Sequence, residues 1–404
     1  MFAENRFPGT LDDSDFARSF ARLRESVSDP IDLADGSPTR AWSVVNDAKT
    51  IKDGYAETIA RASSAAVHEG YAVHEGYDPA PLGRLEARKA VADYYSEHGA
   101  DVDPSRIVLC ASTSEAYTWL AKLLASAGDT VRIPKPSYPL FEHLLGLESL
   151  TTIPDRLAFH GQWARTGIAS QTSHPAFAVA VNPNNPTGHT TDAALLQHLH
   201  DAYNAVALDE VFLDYPVDTD AIPSSLVTLA ECDDPGLHFV ISGISKICGL
   251  PGLKLGWIVL DGPEKLVDAA LSRLSYIADT FLSANDVAQR ALPDLLKHRS
   301  AFQTALRSQL REARRIVRSH IDEAPGWSSY PVEGGWYQIL RFPDVVEDKE
   351  LATRLLAEDG IEVAPGFLFD LDPGHLVVSL VSPPALLDEY LPRIIERFRS
   401  FTEV

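Results

Sequence analysis

Three short stretches carry residue types that could do chemistry. The first is Ser242-Gly-Ile-Ser-Lys-Ile-Cys-Gly-Leu-Pro-Gly-Leu-Lys-Leu-Gly-Trp257, with Lys246 at its centre and Lys254 eight positions on. Lys246 follows the apolar run His238-Phe-Val-Ile-Ser242. A lysine at the end of a core strand is costly to bury unless its amine is neutral or covalently used. The bland alternative, a surface lysine on a loop, fits poorly with Ile247, Cys248 and Leu250 around it. The second stretch is Ala207-Leu-Asp-Glu-Val-Phe-Leu-Asp-Tyr215, in which Asp209 ends a wholly apolar strand. A buried carboxylate there requires a cationic partner, unless it merely caps the following turn. The third is Ser112-Thr-Ser114, between a strand and a helix opening Glu115-Ala-Tyr-Thr-Trp-Leu. Hydroxyls and backbone N–H groups at a helix start make a natural phosphate site, although taken alone they read as plain N-capping.

These residues need a scaffold that brings strand ends together. Ile107–Ala111, Thr130–Ile133, Phe177–Val181, Ala205–Asp209, Phe239–Ile241 and Gly256–Leu260 read as short buried strands. Helical stretches such as Tyr117–Ala127 and Ala194–Asn204 lie between several of them. That alternation predicts an α/β protein with a mostly parallel sheet covered on both faces. Helices dominate about 263–320. Trp336–Arg341, Ile361–Ala364 and Leu376–Leu380 then predict a smaller sheet with helices. Phe16, Phe20 and Leu23 suggest an amphipathic helix before the Gly36/Pro38 loop. The reading divides the chain into an arm and entrance loop (1–45) packing on the small domain, a large domain (46–285) and a C-terminal small domain (286–404).

A chain of 404 residues exceeds what one hydrophobic core usually serves. Its net charge of −22, from 35 basic and 57 acidic residues, opposes nucleic acid or anionic membrane as a partner. Cys110, Cys232 and Cys248 show neither metal-type spacing nor a disulfide framework, which indicates a reducing compartment. No signal peptide and no run near the roughly 20 apolar residues of a spanning helix is visible, so a cytoplasmic protein is expected.

The lysine stretch resembles the class I/II aminotransferases, fold-type I enzymes that use pyridoxal 5′-phosphate (PLP). Their pattern is Ser-x-Ser-Lys, then Gly-x-x-Gly-x-Arg-x-Gly-Trp. The resemblance runs nearly the full chain and includes Pro136-Ser-Tyr-Pro-Leu-Phe141 and Asn182-Pro-Asn-Asn-Pro-Thr-Gly188. It points to a subgroup whose substrates are undefined. It implies a seven-stranded large-domain sheet, a smaller α+β domain, and ping-pong amino transfer from an amino acid to a 2-oxo acid. By resemblance Lys246 holds the cofactor as a Schiff base and later acts as acid/base. Asp209 pairs with the pyridine nitrogen, and Tyr138 stacks on the ring. Asn185 donates to the phenolic oxygen, with Asn185–Pro186 a candidate cis bond. Ser112, Thr113, Ser114, Ser245 and Lys254 form the phosphate cup, joined by Tyr77 from a partner subunit in a homodimer with shared active sites. Lys254 stands where the family usually has arginine, so the grip is less directional.

Two positions depart from the pattern. Phe212 replaces the usual tyrosine, removing a donor to the phenolic oxygen. Val377, in His375-Leu-Val-Val-Ser-Leu380, replaces the arginine that clamps the substrate carboxylate. Gly36, Arg40, Asn185 and Arg341 are the substrate-side candidates. Val377 also keeps open another PLP reaction: elimination at a C–S or β bond, decarboxylation or racemisation. A non-enzymatic effector-binding module is disfavoured, because fewer than about 30 residues precede the entrance loop and the charge opposes DNA.

Overall fold

The computed structural model describes residues 15–70, 80–166, 175–233, 236–282 and 284–401. One large sheet contains β1 (Ile107–Cys110), β2 (Thr130–Lys135), β3 (Thr151–Phe159), β4 (Trp163–Arg165), β5 (Phe177–Val181), β6 (Ala205–Asp209), β7 (Leu237–Gly243) and β8 (Gly256–Asp261). Their order is β1-β8-β7-β6-β5-β2-β3-β4. The sheet therefore has eight strands rather than seven. The addition is the three-residue β4, which folds back antiparallel on β3. Neither β3 nor β4 stood out in the sequence. β3, next to the sheet's edge, is buried only at Asp155 and otherwise exposed or partly buried, so it lacks the apolar run that marks the central strands.

Strands β2, β3, β5, β6 and β7 pair in parallel. β8 runs antiparallel to both β7 and β1. Its first residue, Gly256, consequently lies beside Gly243 at the end of β7 and Cys110 at the end of β1. The loops carrying Ser112, Asn185, Asp209 and Lys246 all leave the carboxyl edge of this sheet, where open α/β sheets place their ligands.

A second sheet holds β9 (Ser328–Ser329), β10 (Tyr337–Arg341), β11 (Ala364–Pro365) and β12 (His375–Ser379), in the antiparallel order β9-β10-β12-β11. The stretch read as one strand over 361–364 is split. Ile361-Glu362 instead pairs in parallel with Ile31-Asp32, just before the Gly36 loop. Arg24 reinforces that junction with an ion pair to Glu362, and Leu33 O accepts a hydrogen bond from Ser379 N at 2.7 Å. The entrance loop is thus fixed to the second sheet's edge.

Within the large sheet, His238 on β7 is wholly buried beside His200. Burial, with the neighbouring imidazole, pushes its pKa down to about 3. The folded state therefore binds fewer protons than the unfolded chain between that value and the ordinary 6.5. Stability should fall as pH drops through this window, by up to about 1.4 kcal/mol per pH unit from this group. Urea midpoints from pH 7 to pH 4 check this, and a His238→Phe variant should show a flatter dependence.

Candidate active site

The lysine turn is held from several sides. β7 is buried along its length, and a Cβ at Gly243 would come within 2.9 Å of Leu255 O, so strands β7 and β8 converge tightly here. The single turn Ile244–Ile247 follows. Tyr215 Oη donates to Lys246 O, Gln303 Nε2 donates to Ile247 O at 3.1 Å, and Trp42 Nε1 donates to Gly249 O at 2.7 Å. The side chain of Lys246 then reaches Gly36 O at 3.2 Å, with Nζ 4.5 Å from the Trp336 ring and 5.3 Å from the Phe212 ring. Burial lowers its pKa to about 8, while the charges of Asp35 and then Asp209 pull the other way. An amine so placed loses its proton readily near neutrality and can act as nucleophile or base.

Asp209 closes β6 and is 6% exposed. Burial raises its pKa to about 6, against hydrogen bonds from Val211 N at 3.0 Å and Tyr117 Oη at 2.9 Å and the charge of Lys246. Such a carboxylate gains most from a cationic partner that enters the site.

Ser112 caps the helix Thr113–Leu124, its Oγ accepting from Glu115 N at 3.1 Å. Thr113 and Ser114 form the helix's first turn and are half-buried. A Cβ at Gly256 would stand 3.1 Å from Ser112 C and 3.2 Å from Thr113 N. The absence of a side chain there lets β8 run directly against the helix start. Ser245 is half-buried in the lysine turn. Lys254 is exposed at the end of the 3-10 turn Pro251–Leu253, with φ +54°. Tyr138, on the loop after β2, is 45% exposed and presents an open ring. Its edge packs on Phe141 at 6.0 Å between centroids. Asn185 precedes a cis peptide bond to Pro186. Among the described residues, its buried Oδ1 has no hydrogen-bond partner.

These features suit PLP. A capped helix start offers donors to a phosphate. A raised carboxylate seeks a cation, an aromatic face is open, and a lysine of lowered pKa lies within the charge field of that carboxylate.

The substrate-side residues separate. Gly36 is at the centre: its carbonyl accepts a hydrogen bond from Lys246 Nζ, and a Cβ would overlap Tyr337 Oη at 2.1 Å. Arg40 is half-buried, donating Nη2 to Asp32 O at 3.0 Å, while its buried Nε has no partner among the described residues. Arg341 is exposed at the far end of β10, opposite His375, and its charge acts on Tyr330 and His375 rather than on Lys246. Val377 is 1% exposed and packs with Trp163, Tyr330 and Ile339. Tyr77 lies outside the described residues.

Four neighbours were missed by sequence reasoning: Asp35, Tyr117, Trp336 and Tyr337. Tyr117 had a readable signal, since it follows Thr113 by one helical turn and so shares its face. Trp336 and Tyr337 are brought in by the second sheet, and no local pattern marks them.

The profile of the family described as aminotransferase class I and II matches residues 62–394. The chain is 29% identical over 337 residues to an alanine aminotransferase of Mycobacterium tuberculosis, covering 79% of this chain and 76% of that one. It is 26% identical over 316 residues to a glutamate-pyruvate aminotransferase of Escherichia coli, covering 74% and 76%. The fold superimposes on an alanine aminotransferase from Pyrococcus furiosus with TM-score 0.77 at 22% identity, covering 96% of each chain. With the family matched over most of its length, the chain belongs to the class I and II aminotransferases and is a PLP-dependent aminotransferase of fold type I.

Proposed function

We propose that this enzyme moves the amino group of a neutral amino acid to a 2-oxo acid, with Lys246 as the proton carrier. The observation that carries the reading is the Lys246 amine, held at Gly36 O with its pKa lowered to about 8 and within the field of Asp209. When bound, PLP supplies the carbonyl that takes up the amino group and the ring that accepts charge from Cα. Asp209 accepts the hydrogen bond of the ring nitrogen's proton. Tyr138 would cover one ring face, Asn185 would donate to the phenolic oxygen, and Phe212 would offer that end no donor. Ser112, Thr113, Ser114, Ser245 and Lys254 hold the phosphate. With the cofactor bound, Lys246 would take the proton from Cα and hold it beside the rings of Phe212 and Trp336.

Two considerations favour a neutral, apolar amino acid. The place usually held by an arginine is the buried, apolar Val377, which packs with Trp163, Tyr330 and Ile339. Among the relatives, the alanine aminotransferase of Mycobacterium tuberculosis and a tyrosine aminotransferase of Caenorhabditis elegans are named for neutral amino acids. In this reading Arg40 takes the substrate carboxylate, because its Nε is buried and still needs an acceptor. Replacing Arg40 with alanine should raise KM for the amino acid by about 10- to 100-fold with a smaller change in kcat. Steady-state kinetics with both substrates varied check this, and an unchanged KM would remove Arg40 from the site.

A homodimer in the cytoplasm completes the proposal, with Tyr77 of each subunit serving the other's phosphate. Support comes from the family resemblance and from three free cysteines. Among the described residues, no helix is long and apolar enough to cross a membrane. The test of the reaction is a half-reaction: holoenzyme mixed with one amino acid should convert to the pyridoxamine form and release the matching 2-oxo acid. Substrate turnover with the cofactor left as PLP would instead indicate a lyase, decarboxylase or racemase.

A further inference from the structure

Asp209 has a second anchor that the family pattern does not name. Tyr117 sits on the helix Thr113–Leu124, one turn after Thr113, so the phosphate cup and this phenol share a helix face. The ring is 3% exposed, packs edge-on against Phe141 at 5.0 Å, and Phe141 in turn packs against Tyr138 at 6.0 Å. Its hydroxyl donates to Asp209 Oδ2 at 2.9 Å, while Val211 N donates to Oδ1 at 3.0 Å. One aromatic series thus connects the residue assigned to the ring face with the residue assigned to the ring nitrogen.

We infer that Tyr117 is a positioning residue whose hydrogen bond to Asp209 keeps the proton shared by that carboxylate and the bound ring on the nitrogen. This rests on the assignment of Asp209 to the ring nitrogen. A carboxylate that accepts a donor is better stabilised as an anion, so it competes less for the ring's proton. Phe212 makes the contact matter: the opposite, phenolic end of the ring lacks one donor, and control of ring charge falls more heavily on the nitrogen end. The titratable groups facing Asp209 are few. Lys246 comes from the lysine turn, Tyr138 from the loop after β2, and Tyr95 from the helix Leu85–Glu97, and among the described residues Tyr117 alone is in direct side-chain hydrogen bonding. The adjacent Glu210 is engaged elsewhere, with Ser224 and Ser225. Burial holds the phenol's own pKa well above its usual value, so it stays a donor throughout the working range.

The experiment uses holoenzyme loaded with PLP labelled with 15N in the ring. Wild type, Tyr117→Phe, and protein with 3-fluorotyrosine placed only at 117 are compared. The 15N shift at pH 7.5 should report a pyridinium in wild type and move toward neutral pyridine in Tyr117→Phe. The acidic limb of kcat/KM should rise by about one pH unit in that variant, a roughly tenfold loss on the acid side. The fluorinated residue, a stronger donor, should move both readouts the opposite way. Unchanged shift and limb in both variants, at an unchanged melting temperature, would reduce Tyr117 to a packing residue and overturn the proposal. Borohydride treatment of the same samples keeps the two ideas separate. Capture of the cofactor on Lys246 upholds the site while the shifts decide Tyr117. Failure of capture in wild type overturns both.

Discussion

Replacing Lys246 with alanine should lower amino transfer by more than about 10⁴-fold while the protein still folds. General acid–base catalysis by a placed side chain contributes roughly 10²–10⁴-fold, and in the proposed reading this amine would also supply the covalent attachment. Among the described residues, Lys254, the other lysine of this stretch, is exposed at the turn after it, and the charges acting on the Lys246 amine are two carboxylates, Asp35 and Asp209. Removing the lysine also removes a costly burial. Its lowered pKa means the charged form is disfavoured in the fold, so the alanine variant without cofactor should melt no lower than wild type. Single-turnover kinetics and thermal melts check the two halves. Activity within tenfold of wild type would place the base elsewhere.

Asparagine at 209 should cost roughly 10²–10³-fold in kcat, the usual scale for removing one preorganised electrostatic group. The sign of the stability effect is the sharper expectation. Asp209 has its pKa raised from 3.8 to about 6, so the folded protein holds the proton more firmly than the unfolded chain does. Stability is therefore lost as pH rises from about 4 to about 6, and the ionised carboxylate destabilises the cofactor-free protein by about 3 kcal/mol. The Asp209→Asn variant carries no charge and keeps one acceptor oxygen for Val211 N, while its NH2 faces Tyr117 Oη, which can turn to accept. Its cofactor-free form should melt at or above the wild-type temperature and show a flatter pH dependence. Calorimetry from pH 4 to pH 8 measures this, and a large drop in melting temperature would mark Asp209 as a structural residue.

Local sequence made the large sheet legible wherever strands were buried on both sides. Val206, Ala207 and Leu208 or Phe239, Val240 and Ile241 have no polar face to confuse the pattern. The edge was not legible, because β3 mixes exposed and half-buried positions and β4 is three residues long. Nor was the split at 361–365 visible. Which half of that stretch joins the Ile31-Asp32 arm and which joins β12 depends on tertiary pairing, not on side-chain alternation. For the site, Lys246 and Asp209 announced themselves by chemical cost: a charged group at the end of an apolar run demands a reason. Arg341 stands at the end of β10 opposite Tyr337 and Gly36, and an arginine on a strand gives no hint of which end faces the ligand. Trp336 and Asp35 reach Lys246 from positions 90 residues later and more than 200 earlier, a distance only the folded chain removes.

Borohydride reduction of PLP-loaded enzyme, followed by peptide mass mapping, tests the central claim most directly. The expected result is one stoichiometric reduced-cofactor adduct on Nζ of Lys246 and loss of that adduct in the alanine variant. An adduct on Lys254, or no adduct on any lysine, would contradict it.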